Sequence, residues 1–440
     1  LPPEGALAYP RRFDVLVVDE AHNVAPAGRG AYAIDSERTA AIRLLAPHFE
    51  HKLFLTATPH NGYAESFSAL LELLDNQRFA RGVKPDRELL SAVMVRRLKS
   101  ELPANWDGSP RFPARKLEAI EVAYSDDERQ AHRWLQAYAR LRQQTTDGAA
   151  QRTATEFTLK LLKKRLFSSP AAFASTLAKH EQTLAEARQG AAARREARKP
   201  SLHILQALVD SAEEDYSDDA EQEEATEAAL RTTAQLATSL SGEEESLLAK
   251  MRRWAERASS QPDSKAQALI DWLDEHIRPN GQWSDERVIV FTEYRATQKW
   301  LQTFLAAHGF TQDKRLLTLY GGMDDRERER IKAAFLASPK DSPVRILLAT
   351  DAASEGIDLQ LHCHRLIHYE IPWNPSRMEQ RNGRIDRHGQ LKNPLIFHFV
   401  PGGYRQRAMR LDNAGELEDD LEFLMVAVRK VEQIREDLGK

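Results

Sequence analysis

Short apolar runs that alternate with helical stretches constrain the fold of this chain more than any other feature. Five of them lie between residues 265 and 400 and read RVIVF, RLLTLY, VRILLAT, RLIHYE and LIFHFV. Two more, FDVLVV and KLFLTAT, alternate with helical patterns near Ser36–Leu45 and Ala64–Leu74. Alternating strands and helices are typical of parallel sheets covered by helices. The sequence therefore predicts an α/β fold.

Residues 120–260 have a different texture, rich in Ala, Glu, Arg, Gln and Leu and poor in Gly and Pro. This composition, with an apolar period of about 3.6 residues, predicts a long helical insertion. Between Ser211 and Ala229 lie nine carboxylates and no Lys or Arg, and without them the formal charge of -4 becomes +5. We interpret this run as a solvated linker, or as helix ends in an insertion, and assign it no chemistry of its own. A last amphipathic helix is predicted over residues 416–438.

Composition excludes several classes of protein. The single cysteine, Cys363, rules out a disulfide framework and a thiolate zinc finger, and it suits the reducing cytoplasm. No uncharged apolar stretch approaches the ~18 residues of a membrane span, so we expect no membrane association. The near-neutral charge speaks against a polycation that binds phosphate with its whole surface, but it allows a local basic cleft.

Two carboxylates and a histidine directly follow the first apolar run, as Asp19-Glu20-Ala21-His22. At the carboxyl edge of a parallel sheet, one carboxylate suits Mg²⁺ and the other suits a water that it orients or deprotonates. Taken alone, the four residues fit a capped strand-end turn equally well. Thr56 and Thr58 end the next apolar run, where their hydroxyls can hydrogen-bond across to the acidic pair.

An arginine stripe is predicted further along the chain. Asn374-Pro375 favours a helix start and Gly389 a helix stop. On such a helix Gln380, Arg384 and Arg387 lie at i, i+4 and i+7 and project from one face. The planar guanidinium matches phosphate, so this face suits a transferred phosphoryl group, although a solvated basic face is the alternative.

A loop of small residues follows the run VRILLAT, from Thr350 to Asp358. Glycine and serine in such a loop allow the backbone to approach a ligand closely, as phosphate-binding loops require. Taken alone, this segment is an ordinary connection between a strand and a helix.

These segments together resemble a known family. DEAH, LTATPHNG, VIVFTEY, LYGGM, LLATDAASEGIDLQ and QRNGRIDRHGQ follow the order of motifs II to VI of superfamily 2 ATPases. The last block, with MVRRLKSEL and SKAQALIDWL, is similar to the SNF2 family. TATPHNG, SEGIDLQ and IPWNP resemble its RapA-like bacterial branch, which includes helicase-like components of phage-defence systems such as DISARM. The resemblance covers about residues 10–125 and 264–400.

The resemblance implies RecA-like lobes with parallel sheets, the first lobe incomplete, plus a long α-helical insertion. It divides the chain into the C-terminal part of lobe 1 (1–100), a mainly helical insertion with an acidic linker (101–263), lobe 2 (264–402) and a C-terminal helix (403–440). It implies ATP and Mg²⁺ as cofactors and nucleic acid, above all double-stranded DNA, as partner. Protein partners in a multi-subunit complex are a further expectation.

The family also implies roles for individual residues. Asp19 would hold Mg²⁺ and Glu20 would activate the attacking water. Arg384 and Arg387 would act as arginine fingers close to the nucleotide. The coupling residues would be His22, Thr56, Thr58 and Gln380. Gly356 and Asp358 would lie near the nucleotide. Thr350 and Ser354 would contact nucleic acid.

One departure from the family limits these expectations. The chain contains no G-x-x-x-x-G-K-[S/T] loop, and its only Gly-Lys pair is Gly439-Lys440. Without that loop there is no backbone cradle for the phosphates and no phosphate-binding lysine. We therefore expect the C-terminal portion of a SNF2-like DNA-dependent ATPase and translocase, which alone neither binds nor hydrolyses ATP. The alternatives are an ATP-independent nucleic-acid-binding or scaffold fragment, or another superfamily 2 member that acts on RNA.

Overall fold

The computed structural model confirms the α/β class. It describes residues 13–25, 37–56, 64–97, 99–193, 201–213, 218–352, 357–372, 375–403, 417–418 and 420–421. The chain divides into two compact units, residues 1–96 with 374–376 and residues 97–373 with 377–440. Most of the helix predicted over residues 416–438 lies outside the described residues. None of the described helices is long and apolar enough to cross a membrane.

The first unit contains a two-stranded parallel sheet. Its strands are β1 (Phe13–Val18) and β2 (Phe49–Phe54). Its helices are α1 (Glu37–Leu45), α2 (Ala64–Leu74) and α3 (Arg87–Val93), with short 3-10 helices at Ala21–Val24 and Ala46–His48. The predictions of helices near Ser36–Leu45 and Ala64–Leu74 are confirmed.

Only one face of this two-stranded sheet is covered in the described structure. Val18, Val24 and Leu70 are buried together on the covered face. Because side chains alternate along a strand, Phe13, Val15 and Val17 point the other way, and they are 56%, 51% and 55% exposed.

The second unit contains a six-stranded sheet, all parallel, in the order β3-β8-β7-β4-β6-β5. Its strands are β3 (Lys116–Val122), β4 (Val288–Thr292), β5 (Leu316–Leu319), β6 (Ile346–Thr350), β7 (Arg365–His368) and β8 (Leu395–Pro401). The five strands predicted between residues 265 and 400 are confirmed. Strand β3 was not predicted: it pairs with β8 along its whole length, at the edge of the sheet.

Helices cover both faces of this sheet. They are α10 (Ser264–His276), α11 (Arg295–Ala307) and α12 (Asp325–Leu336), and short 3-10 helices lie at Lys99–Glu101, Pro279–Gly281 and Gln312–Lys314. Val288 and Val290 of β4 pack in one core with residues of α10 and α11. Ile289 and Phe291 pack in a second core with residues of α12. A parallel sheet buried on both faces explains why its strands read as continuous apolar runs.

In its described residues the insertion contains six helices: α4 (Asp126–Gln144), α5 (Ala149–Ser168), α6 (Pro170–Ala193), α7 (Leu202–Glu213), α8 (Asp219–Leu236) and α9 (Gly242–Ala258). Capping boxes begin α4, with Ser125 and Glu128, and α9, with Ser241 and Glu244. Helices α4, α5, α6 and α9 share an apolar core of their own, centred on residues such as Tyr138, Leu162, Phe173, Met251 and Trp254. Helices α7 and α8 pack with α5 in smaller apolar clusters. The prediction of a long helical insertion is confirmed. A last helix, α13, spans Pro375–Asn382.

The insertion packs on the second unit's sheet through polar contacts at the carboxyl end of β4. Lys164 Nζ of α5 lies 3.4 Å from Glu293 Oε1. The guanidinium of Arg165 lies 3.7 Å from the ring centroid of Tyr294. Ser168 Oγ donates to the Glu370 carboxylate. The insertion and the six-stranded sheet therefore belong to one unit.

Candidate functional sites

Two exposed carboxylates, Asp19 and Glu20, follow strand β1 directly. Glu20 adopts the left-handed conformation, with φ 47° and ψ 49°. Its backbone N–H donates to Asp19 Oδ1 at 2.9 Å. The turn therefore presents both side chains at the carboxyl edge of the sheet, where parallel sheets bind ligands.

Asp19 fits the ligand chemistry of Mg²⁺. This ion is commonly held by one or two carboxylates, with substrate phosphates and waters completing its coordination. Among the described residues, no group of three or more His, Cys, Asp and Glu side chains could hold a metal ion.

A hydrogen bond joins the ends of strands β1 and β2. His22 is buried, and its Nδ1 lies 2.9 Å from Thr56 Oγ1 and 3.4 Å from Glu20 Oε2. The Ala21 N–H donates to the Leu55 carbonyl at 2.8 Å. The structure thus brings together Glu20, His22 and Thr56, which the sequence placed on two neighbouring strands. Thr58 lies outside the described residues.

The predicted arginine helix is shorter than expected. Helix α13 ends at Asn382, not near Gly389, because Gly383 interrupts it and a tight turn follows. In that turn the Arg384 N–H donates to the Arg381 carbonyl at 3.0 Å. Gln380 alone of the predicted stripe is helical, so the prediction that it shares one helix face with Arg384 and Arg387 is wrong.

The turn nevertheless brings both arginines to the segment after strand β6. Arg384 is buried, and its Nη1 donates to the Ile357 carbonyl at 3.5 Å. Arg387 is exposed and forms an ion pair with Asp358. Gly356 and Ser354 lie outside the described residues.

A buried arginine that the sequence did not single out anchors this turn. Arg381 Nη2 donates to Asp351 Oδ2 at 2.7 Å, and its Nη1 donates to the Glu370 carbonyl at 3.0 Å. The paired guanidinium and carboxylate fix the position of α13 against the end of β6. Beside them His368 Nε2 lies 2.9 Å from Asn382 Oδ1, and burial holds the pKa of His368 well below its usual range. The one sequence indication was the clustering of arginines in QRNGR.

Thr350 ends strand β6 and is buried, where it contacts the helical insertion. Its hydroxyl donates to Asp219 Oδ2 at 2.8 Å. The Gly321 N–H, just after β5, donates to the same oxygen at 2.7 Å. Burial raises the pKa of Asp219.

Of the two interpretations of the acidic run between Ser211 and Ala229, helix ends of the insertion fit the structure, since α7 ends at Glu213 and α8 begins at Asp219. Two of its carboxylates make specific contacts and are not simply solvated. Asp219 contacts the second unit's sheet. Glu223 accepts hydrogen bonds from Arg165 at 2.9 Å and from Lys179 at 2.7 Å. Burial alone would raise the pKa of Glu223, but these cations lower it to about 2. No local pattern in the sequence distinguished these two carboxylates from the others.

Comparisons with known proteins identify one domain of a known family in this chain. Residues 265–389 match the family model for the helicase conserved C-terminal domain. The uncharacterized ATP-dependent helicase YqhH of Bacillus subtilis (strain 168) is 37% identical over 138 residues, which are 31% of this chain and 22% of that protein. The RNA polymerase-associated protein RapA of Pectobacterium carotovorum (subsp. carotovorum, strain PC1) is 32% identical over 127 residues, 29% of this chain and 12% of that protein.

These matches span less than a quarter of either relative's length. Among solved structures, the Pyrococcus furiosus Hef helicase domain matches at 16% identity and a TM-score of 0.41, over 94% of this chain and 73% of that one. Residues 265–389 therefore match a helicase conserved C-terminal domain, and part of the chain is similar to the helicase YqhH and to RapA.

Proposed function

We propose that this chain is the C-terminal portion of a SNF2-like motor that couples ATP hydrolysis to movement along double-stranded DNA. The observation that carries the proposal lies in the helicase C-terminal domain. There the residues after β6 are held against the arginine turn, through Arg381 with Asp351 and through Arg387 with Asp358. This places guanidinium groups at the carboxyl edge of a parallel sheet, where phosphates bind.

The acidic turn of the first unit supplies the second set of roles. In the proposal Asp19 binds Mg²⁺ and Glu20 orients the attacking water. The His22–Thr56 hydrogen bond supports a coupling role, because a change at the acidic turn alters a contact with the neighbouring strand. Thr58 has a related coupling role in the proposal.

The second unit supplies the remaining roles. Arg384 and Arg387 stabilise negative charge on the transferred phosphoryl group, and Gln380 orders the helix before them. Gly356 and Asp358 lie near the nucleotide, and Thr350 and Ser354 contact the nucleic-acid backbone. Arg381 is a positioning residue, because its guanidinium is buried against Asp351 and holds the turn.

The lack of a phosphate-binding loop limits the activity that we propose for this polypeptide alone. Asp19 fits Mg²⁺, but the sequence contains no phosphate-binding loop, so in this proposal the 440 residues by themselves do not hydrolyse ATP. The proposal requires that other residues supply that loop. The same observation favours one rival function, an ATP-independent nucleic-acid-binding or scaffold module.

Partners and location complete the proposal. One relative is described as RNA polymerase-associated, which supports a protein partner for this chain too. We place the protein in the cytoplasm, with nucleic acid as its substrate track.

The proposal is tested in two steps. The reading frame upstream of Leu1 is inspected for a phosphate-binding loop, and phosphate release by the protein encoded there is measured with and without duplex DNA. Glu20→Gln and Arg387→Ala are expected to abolish DNA-stimulated release while duplex binding persists. Arg330→Ala, which changes an exposed arginine of α12, is the matched control and retains activity.

Three outcomes discriminate between the alternatives. DNA-stimulated release that survives either change contradicts the assigned roles. Stronger stimulation by duplex RNA than by duplex DNA supports the RNA alternative. Absence of any phosphate-binding loop in the frame, with nucleic-acid binding by the 440 residues intact, supports the ATP-independent module.

A further inference from the structure

The amino end of helix α8 brings a carboxylate to the carboxyl edge of the six-stranded sheet. Strands β5 and β6 are neighbours there, so Gly321 and Thr350 present their donors side by side. Both groups donate to a single oxygen, Asp219 Oδ2, at 2.7 Å and 2.8 Å. An acid of the insertion thus satisfies two donors of the helicase domain.

The Gly321 N–H and the Thr350 hydroxyl are donors of the kinds that bind a phosphodiester oxygen. Protein contacts to nucleic-acid phosphates come from backbone N–H groups, from Ser and Thr hydroxyls and from Arg and Lys. A basic side chain is also present. Arg295 interacts electrostatically with Asp219, and the Arg295 guanidinium lies 3.5 Å from the ring centroid of Tyr320. A carboxylate oxygen and a phosphate oxygen are equivalent acceptors for such a set.

The frame that holds the donors is rigid. Gln298 of α11 is fully buried, and its Nε2 donates to the Leu319 carbonyl at 2.9 Å and to the Leu348 carbonyl at 2.7 Å. This side chain fixes the ends of β5 and β6 relative to each other. The donors therefore keep their spacing whichever acceptor they bind.

Gly322 allows the acidic segment to approach closely. A Cβ atom at this position would lie 2.6 Å from Asp218 Oδ2, and the residue has a φ of +77°. Asp218 also caps α8, accepting from the Ala220 N–H at 2.7 Å. Two successive carboxylates of the insertion thus lie against the turn that follows β5.

We propose that the Asp219 carboxylate occupies the position of a nucleic-acid backbone phosphate, so that the helical insertion and nucleic acid compete for the Gly321 N–H and the Thr350 hydroxyl. The inference rests on the proposed function, because it takes Thr350 as a nucleic-acid contact. Binding of a duplex at this edge displaces the amino end of α8. The remainder of α8 stays attached through Glu223, which pairs with Arg165 and Lys179.

The test measures the affinity of the 440-residue polypeptide for a fluorescein-labelled DNA duplex by fluorescence anisotropy at low and moderate salt. Asp219→Ala is expected to bind roughly 10-fold more tightly than wild type, since it removes a competitor held by two hydrogen bonds to a charged group. Asp219→Asn keeps the shape of the helix end and is expected to give a smaller gain, because its amide oxygen still accepts from both donors.

Glu221→Ala is the matched control. It removes one carboxylate from an exposed position of the same helix, two residues from Asp219. Loss of a negative charge anywhere strengthens binding to phosphate slightly, so the control isolates the contact from the charge. Thermal unfolding of each variant verifies that the fold is retained.

The outcomes separate this inference from the function on which it rests. Tighter binding by Asp219→Ala than by Glu221→Ala supports competition. Equal affinities for these two variants, with clear binding by wild type, overturn the inference and leave the proposed function standing. Absence of binding to duplex DNA and duplex RNA by every variant at low salt overturns both.

Discussion

The two parallel sheets of this chain begin from similar apolar sequences and end in different surroundings. In the six-stranded sheet β4 and β6 are buried at every position. In the two-stranded sheet, FDVLVV leaves Phe13, Val15 and Val17 about half exposed. An apolar run thus predicts a strand in both units, but burial on both faces also requires helices on both faces, as α10, α11 and α12 provide for the larger sheet.

The two candidate sites also differ in how far their residues are buried. The arginine turn is held by the ion pair between the buried Arg381 and Asp351. The acidic turn is exposed, and the His22–Thr56 and Ala21–Leu55 hydrogen bonds link it to the neighbouring strand. We therefore expect substitutions at buried positions of the second unit to lower its free energy of unfolding strongly. Equivalent substitutions in the first unit should lower its free energy of unfolding less.

The largest expected contrast concerns arginine ion pairs. Arg381→Ala should lower the free energy of unfolding of the second unit by about 3–5 kcal/mol, because it leaves the Asp351 carboxylate without its buried guanidinium partner. Arg43→Ala, which removes a 2.8 Å pair with Glu72 on the surface of the first unit, should cost at most about 1 kcal/mol. Urea unfolding measures the loss of free energy in both variants, and hydrogen exchange of the strand amides reports on each unit separately. Equal losses in the free energy of unfolding for Arg381→Ala and Arg43→Ala would contradict the expected difference between the two units.

Matched leucines test the contrast between the sheets directly. Leu348 on β6 is 0% exposed and Leu53 on β2 is 50% exposed. Leu348→Ala should cost about 2–5 kcal/mol through lost burial and a cavity, and Leu53→Ala about 0.5 kcal/mol. The same unfolding experiment measures them. A large cost at Leu53 would mean that the exposed face is covered in solution.

A pH prediction concerns Glu293, at the carboxyl end of β4. Burial alone would raise its pKa, but Lys164, Arg377 and neighbouring arginines lower it to about 2 from the ordinary 4.5. The ionised carboxylate therefore stabilises the second unit fully above pH 4.5, and this contribution is lost as the pH falls towards 2. Glu293→Gln should cost about 1–3 kcal/mol at pH 7.

Urea unfolding of wild type and Glu293→Gln at pH 7, 4 and 3 measures this effect. The difference between the two proteins should shrink as the pH falls. Glu72→Gln is the comparison in the first unit, where the pKa of Glu72 is also lowered but the group is less buried. A constant difference for Glu293 across this range would show that its ion pairs do not contribute.

The smallest difference between a variant and its control is expected at the contact between the two strands of the first unit. Thr56→Val removes the hydroxyl beside His22 Nδ1 and should cost about 1 kcal/mol. Thr303→Val, an exposed position on α11, is the control and should cost less. Hydrogen exchange of the amides of β1 and β2 measures the change. An unchanged exchange rate at Leu55 and Ala21 would show that the side-chain contact does not support the turn.

Much of the fold was predictable because buried strands carry a strong local pattern. Continuous apolar runs located β4 to β8, and capping residues with helix-forming composition located the insertion. Strand β3 was missed because KLEAIEV mixes charged and apolar residues and borders the stretch from residue 120 that is dominated by helix formers. Helix α13 was extended too far because the spacing of Arg384 and Arg387 was interpreted as helical across Gly383.

The candidate sites were predictable only where they follow strands. Asp19 and Glu20 lie where the run before them ends, and Thr350 likewise. The contact between Asp219 and Thr350 joins residues 131 positions apart, in an acidic run with many equivalent members. Arg381 was overlooked because spacing along the chain does not tell which arginine of a cluster turns inwards.

Hydrogen exchange of the 440-residue polypeptide with and without a saturating DNA duplex tests the central claim most directly. The account predicts protection of the amides that follow β5 and β6, at residues 320–322 and 350–352, together with faster exchange at the amino end of α8. A footprint confined to other surfaces, or no change at these two strand ends under conditions where the duplex is bound, would contradict it.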